Sequence, residues 1–265
     1  MEAKDASGAQ EHGMHPSFLN TIKQKERVKE HLSGVKHKVG VYSAKGGVGK
    51  TTIAVNLAYA LQRMGYKVGL LDADIDCPNV PMFLGTDAKM DISGFPLKPL
   101  DIKGVKVAST AMVVDDAKKP IIWRGALIAK MLGDFFENTE WGELDYLIID
   151  LPPGTSDSPL SIMQLLDLKG LVLVTTPQRI ASVNSIRSGL MAKRLGVAVL
   201  GVVENMSNGE PSASTKEVAA ATGSEVIGTV GMDRKLSAMA DSGVIPALED
   251  ESAYESFRRI AERIK

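Results

Sequence analysis

Cysteine is nearly absent from this sequence. Cys77 stands alone among 265 residues, which excludes an intramolecular disulfide and any metal centre drawing several thiolates from one chain. Long apolar runs are missing as well: those around Leu147–Leu151 and Leu171–Val174 have the length of strands, far below the 18 or so residues that cross a bilayer. The N-terminus is polar and has no apolar signal-peptide core. Nor is there an excess of one charge. Lys and Arg number 31 against 32 Asp and Glu, for a net charge of −1, which argues against a surface built throughout to hold nucleic acid or anionic lipid. What is present, 44% hydrophobic and 24% charged residues, is average for a globular protein, and a chain this long hides roughly 70–75% of its unfolded surface. The expectation is a soluble, cytoplasmic protein with neither nucleic acid nor membrane as its partner.

Residues 1–37 differ from the rest and read as an N-terminal extension. All four histidines (His12, His15, His31 and His37) lie here. Phe18, Ile22, Val28 and Leu32 form the apolar stripe of one short helix, preceded by a tail. His12 and His15 stand three apart, as a metal pair can, but Gly13 between them favours a mobile tail. From 38 to 265 short apolar runs alternate with longer amphipathic ones. The spacing predicts strands over 39–43, 67–72, 105–109, 145–150, 171–175, 198–204 and 225–228. Helices are predicted over 50–64, 125–136, 157–166, 181–195, 214–221, 233–241 and 251–264. Runs of Val, Ile and Leu without strict alternation suit strands buried on both faces. One α/β domain follows, a mainly parallel sheet of about seven strands with helices on both faces.

One segment carries specific chemistry: Ser43-Ala44-Lys45-Gly46-Gly47-Val48-Gly49-Lys50-Thr51-Thr52. It follows a predicted strand and opens a predicted helix, the setting of a phosphate-binding P-loop. Gly46, Gly47 and Gly49 allow a tight turn whose N–H groups converge on phosphate oxygens. The helix N-terminus adds its own N–H groups and the positive end of its dipole. Lys50 is placed for the β- and γ-phosphates of ATP, and the Thr51 hydroxyl for Mg²⁺. Ala44 replaces the first glycine of the usual pattern, and Lys45 adds a second lysine within the loop.

With Lys45 the motif resembles that of the ATPases related to MinD, ParA and nitrogenase iron protein. The resemblance implies a homodimer in which Lys45 reaches the nucleotide of the partner subunit. The second predicted strand runs into Leu71-Asp72-Ala73-Asp74-Ile75-Asp76, placing carboxylates where a strand end faces the phosphates. Asp74 resembles the family's water-orienting residue. Asp72, two residues earlier, shares its strand face and is a candidate Mg²⁺ ligand, while Asp76 reads as a turn residue before Pro78. A further buried run, Tyr146-Leu147-Ile148-Ile149-Asp150, has the Walker B pattern, with Asp150 holding a Mg²⁺-bound water. Pro152-Pro153-Gly154-Thr155-Ser156-Asp157 then resembles switch II, where Gly154 would turn its N–H toward a γ-phosphate. Asp157 is the next candidate for orienting water.

Longer stretches narrow the match. Trp123-Arg124-Gly125, Trp141-Gly142-Glu143-Leu144-Asp145-Tyr146, Asp150-Leu151-Pro152-Pro153-Gly154-Thr155, Val174-Thr175-Thr176-Pro177-Gln178 and Gly201-Val202-Val203-Glu204-Asn205-Met206-Ser207 are similar to the Mrp/ApbC branch over residues 38–265. That branch implies ATP hydrolysis in iron–sulfur cluster assembly or transfer, with an apoprotein or assembly-factor client, and an adenine contact from Asn205. The chain departs from it in one respect. Carriers have Cys-x-x-Cys shortly after the Glu-Asn-Met-Ser stretch, whereas here the sequence reads Ser207-Asn208-Gly209-Glu210-Pro211-Ser212-Ala213-Ser214. A [4Fe–4S] cluster takes four thiolates, and two copies of this chain supply two. Cys77 reads as a buried small hydrophobe, or as a doubtful ligand shared across a dimer. Two other classes stay open: a MinD/ParA-like positioning ATPase, which would need a surface such as the basic last helix around Phe257, Ile260 and Ile264 to bind membrane, although that stripe is better suited to packing on the sheet, and a metal-insertion maturation ATPase using Cys77.

Overall fold

In the computed structural model, residues 16–91, 93–94, 96–113, 133 and 135–265 are described, with backbone alone for 16–22. The apolar runs become strands β1 (Val35–Ser43), β2 (Val68–Asp72), β3 (Leu100–Ile102), β4 (Val105–Ser109), β5 (Leu144–Asp150), β6 (Gly170–Thr175), β7 (Val199–Ser207) and β8 (Val226–Gly231). They form one sheet in the order β3-β4-β2-β5-β1-β6-β7-β8, parallel throughout except for β3 against β4. Every residue of β2 and β6 is buried, as strands covered on both faces require.

The helices are α1 (Pro16–His31), α2 (Lys50–Arg63), α3 (Val80–Phe83), α4 (Asp157–Leu165), α5 (Arg179–Arg194), α6 (Ala213–Thr222), α7 (Arg234–Asp241), α8 (Pro246–Glu249) and α9 (Glu251–Arg263). The β1–α2–β2 crossover moves toward one edge of the sheet and β6–α5–β7 toward the other, so crossovers of one hand put α2 and α5 on opposite faces. Helix α9 packs on α2 and β8. Phe257, Ile260 and Ile264 are buried there, so its apolar stripe faces the protein core. No helix among the described residues is long and apolar enough to cross a membrane.

The sheet differs from expectation in two places. Among the described residues it has eight strands where about seven are predicted; the additional one, β3, is a three-residue antiparallel edge strand joined to β4 by Lys103-Gly104. Both turn residues have positive φ, 51° and 86°, the requirement of a two-residue hairpin, and Asp101 Oδ1 accepts from the Gly104 N–H at 3.0 Å. Strand β1 begins at Val35, four residues before the predicted Val39, because Val35, His37 and Lys38 already pair with β5. Val28 and Leu32 of the predicted N-terminal stripe are buried in the core. His12, His15, the Trp123-Arg124-Gly125 stretch and most of the helix predicted over 125–136 lie outside the described residues.

Candidate functional site

The carboxyl ends of β1, β2, β5 and β7 converge on one edge of the sheet, and each delivers a predicted site residue there. Residues 44–49 link β1 to α2 and form the P-loop. Gly47 and Gly49 have φ of 78° and 82°, in the left-handed region that glycine adopts without cost. Ala44 does not have a positive φ, which explains why a side chain is tolerated where the usual pattern has glycine. At Gly49 a Cβ would also stand 2.0 Å from Asn205 Nδ2. That Asn205 amide comes from β7 and donates to the Val48 carbonyl at 2.9 Å.

Beneath the loop, Lys50 Nζ donates to Asp150 Oδ1 at 2.6 Å and Thr51 Oγ1 donates to Asp150 Oδ2 at 2.6 Å. Lys50 and Asp150 are buried, with side chains 7% and 1% exposed. Burial pushes the Asp150 carboxyl upward, and the Lys50 ammonium and the Thr51 hydroxyl oppose it. The three groups expected to handle phosphate and Mg²⁺ therefore meet at one point. Mg²⁺ is commonly held by one or two protein oxygens together with phosphates and water, and the Thr51 hydroxyl and Asp150 carboxylate fit that donor set.

Asp72 sits differently from expectation. It lies beside Asp150 across the β2–β5 ladder, but both its oxygens are engaged within the protein. Oδ2 accepts from the Val80 N–H at 3.1 Å and the Ser109 hydroxyl at 3.0 Å, and Oδ1 accepts from the Asp74 N–H at 3.3 Å. Burial and the charge of Asp150 push its pKa up to about 8. Asp72 thus braces the turn after β2 rather than facing open space beside the phosphates. Asp74, which shares the site with Lys50, is nearly buried; burial raises its pKa and the Lys50 charge counters this. Its Oδ1 accepts from the Cys77 N–H at 3.2 Å. The Cys77 thiol itself is exposed, which overturns its reading as a buried hydrophobe: the loop after β2 lies open at the sheet edge. Asp76 and Asp157 are exposed, and Asp157 opens α4. Lys45 is exposed at the rim of the loop, and its ammonium makes no hydrogen bond or ion pair among the described residues.

Two features have no motif in the sequence. Beside Gly49 and Asn205 lies a cavity of about 360 Å³, lined also by Phe83, by Asp233 and by Leu236 and Ser237 of α7. Its walls come from residues 49 to 257, so only the folded chain brings them together. In the loop after β7, Glu204 gathers the chain around itself. It accepts from Ser207 Oγ at 2.6 Å, from the Ser212 N–H at 3.0 Å and from the Ser212 hydroxyl. Burial works to raise the Glu204 pKa, but these hydrogen bonds outweigh it and hold the carboxyl below its usual range. Among the described residues no group of three or more His, Cys, Asp or Glu is arranged to hold a metal ion.

The chain is similar to several known proteins over most of its length. A protein of Methanocaldococcus jannaschii named iron-sulfur cluster carrier protein is 40% identical over 261 residues, covering 91% of this chain and 88% of its own. A namesake from Pyrococcus horikoshii is 38% identical, covering 93% and 91%. Among solved structures, a nucleotide-binding protein from Archaeoglobus fulgidus in complex with ADP superposes with a TM-score of 0.74 at 35% identity, covering 88% of this chain and 96% of that one. The cell division ATPase MinD of Pyrococcus furiosus shares the fold at 21% identity, with a TM-score of 0.67 and coverage of 86% and 98%. The family model of the NUBPL iron-transfer P-loop NTPases, ParA, matches residues 34–265, and the chain belongs to that family.

Proposed function

We propose that the protein binds and hydrolyses ATP as a homodimer and acts in iron–sulfur cluster assembly or transfer by switching a client protein. The observation that carries this reading is the meeting of Lys50, Thr51 and Asp150 under the P-loop, next to a cavity large enough for a nucleoside. The loop N–H groups and Lys50 bind the phosphates, and Asn205 stands at the mouth of the base cavity. Mg²⁺, held through Thr51 and Asp150, would neutralise phosphate charge. Asp74 orients the attacking water in line with the γ-phosphate, and Lys45 completes the partner's site.

A thiol-ligated [4Fe–4S] cluster does not fit this chain. The sequence offers one cysteine, so a homodimer offers two thiolates where four are the rule. The iron–sulfur species is therefore the cargo of the partner, and after anaerobic reconstitution wild type and Cys77→Ser should retain equally little iron and sulfide. Four iron atoms per dimer, lost in Cys77→Ser, would overturn this part of the reading.

The nucleotide part is tested by melting. Mg-ADP or Mg-ATP at about 100 times its Kd should add roughly 2.7 kcal/mol of stability, or about 5–10 °C in Tm for a domain of this size. No shift with either nucleotide at millimolar concentration would remove the proposal.

A further inference from the structure

Five large apolar side chains are exposed among the described residues, and three of them stand on one helix. Ile180, Val183 and Leu190 of α5 are 66%, 45% and 42% exposed. Positions 180, 183, 187, 190 and 194 recur every three or four residues and so share one face of a helix. Arg187 and Arg194 therefore stand in the same row, with Arg179 at its start. The row runs about 21 Å along the helix. The opposite face, which includes Ala181, Ser185 and Ala192, is buried, and α5 packs on β6, β7 and α6. The domain core thus makes no use of the exposed row.

The charge on this face has one sign. Helix α5 holds three arginines and a lysine but no carboxylate, in a chain whose net charge is −1. Arg179, Arg187 and Arg194 form no ion pair among the described residues, whereas Arg27, Arg63 and Arg258 are each paired with a glutamate. Exposed aliphatic side chains beside unpaired guanidinium groups have the composition of an interface, where arginine is enriched and a polar rim surrounds an apolar strip. The row also starts near the phosphate site. Val174 of β6 pairs with Ser43 at the beginning of the P-loop, and α5 opens shortly beyond it at Arg179.

We propose that this face of α5 docks an acidic amphipathic helix of a partner protein, with Ile180, Val183 and Leu190 meeting its apolar seam and the arginines its flanking carboxylates. A ridge with this spacing fits the grooves of a second helix laid beside it, and the unpaired cations select for Asp and Glu around the seam. A second copy of the chain does not fit, because α5 against α5 would set arginine against arginine. A bilayer surface fits poorly as well: helices that lie in it present a broad apolar face with Trp or Phe, whereas α5 has no aromatic residue and Arg187 interrupts its row. Nucleic acid would use the cations and leave the aliphatic side chains without a role. One helix face is smaller than the roughly 800 Å² per partner of a stable complex, so the contact is transient. The docking rests on the function proposed above only in giving its client a place; the face itself needs no nucleotide.

The test uses the full chain and a fluorescein-labelled synthetic helix with Leu three and four residues apart in one seam and Glu on both sides. Fluorescence anisotropy should show binding, and a scrambled peptide of the same composition or one with Lys for Glu should bind at least about tenfold more weakly. Ile180→Ser and Arg187→Glu should each lower the affinity about five- to thirtyfold, the effect of losing one interface anchor, and added salt should weaken wild-type binding. Both positions are exposed, so the variants should melt with wild type; should one not fold, the other decides, together with the wild-type peptide comparison. No binding, equal binding of the scrambled peptide, or affinity unchanged in the variants overturns the proposal. So does tighter capture of phosphatidylserine–phosphatidylcholine vesicles or duplex DNA through the same residues, or an oligomer that Ile180→Ser dissolves. Wild type that binds the peptide but shows no rise in Tm with nucleotide would instead sink the nucleotide reading and leave the docking face standing.

Discussion

Asp74→Ala should bind Mg-ATP about as wild type does and lose about 10²–10⁴-fold in hydrolysis, the span for a positioned acid–base group. The side chain is nearly buried beside Lys50 and Asp150, yet its structural obligation is light, one acceptor bond from the Cys77 N–H. Removing it therefore costs chemistry more than fold. Phosphate release under single-turnover conditions checks the loss. Unchanged turnover would shift the water-orienting role to another residue, with the exposed Asp157 at the start of α4 next in line. The same slow variant exposes the assembly, because turnover no longer drains an ATP-bound dimer. It should sediment as a dimer with ATP and as a monomer with ADP. Adding Lys45→Ala should abolish the ATP-dependent dimer, since a γ-phosphate enclosed between subunits needs cationic donors from both. Identical sedimentation with and without ATP would refute the role given to Lys45.

Lys50→Met should cost stability as well as binding. It removes the cation from a buried pair and leaves the Asp150 carboxylate in low dielectric next to Asp72. Breaking such a pair from one side typically costs about 3–5 kcal/mol, which for a chain of this size is roughly 6–20 °C in Tm. The sign with pH follows from the direction of the Asp150 shift. Its folded-state pKa is raised by burial and restrained by Lys50, so loss of Lys50 raises it further. The folded state then holds a proton that the unfolded chain releases, and the penalty grows as pH rises above the ordinary carboxylate range. Urea unfolding at pH 5 and pH 8 measures this. A penalty equal at both pH values would mean that Asp150 does not titrate in the variant, and the stabilisation by nucleotide should be absent at either pH.

The central strands were legible in the sequence because burial on both faces leaves uninterrupted runs, as at 145–150 and 171–175. The start of β1 was not, because its first residues are only partly covered and Lys36, His37 and Lys38 read as polar. Three-residue β3 was hidden behind Pro99, and only its Lys103-Gly104 turn marks it. The P-loop and Asp150 were legible as motifs, since their spacing is local, whereas Asn205 was marked only by the resemblance of its Glu204-Asn205-Met206-Ser207 stretch. What Asp72 does was not, because Asp72 and Asp74 are the same residue type two positions apart, and only tertiary structure brings Ser109 and the Val80 N–H to the first of them. The cavity beside Gly49 and Asn205 escaped for the same reason: it joins segments that no spacing rule connects.

The sheet order also governs when the phosphate site can come into being. Strand β1 lies between β5 and β6, and its pairing partners run from Leu144 to Val174, more than a hundred residues downstream of Val35. As the chain leaves the ribosome, the P-loop strand has neither neighbour until residues 144–150 and then 170–174 are made. Its apolar edges stay open during that time, a setting in which non-local parallel pairing is slow and prone to association. Short N-terminal fragments that contain the whole of residues 43–52 should hold the P-loop sequence without its shape. The loop of residues 43–52 thus acquires its shape only after segments more than a hundred residues downstream have joined the sheet.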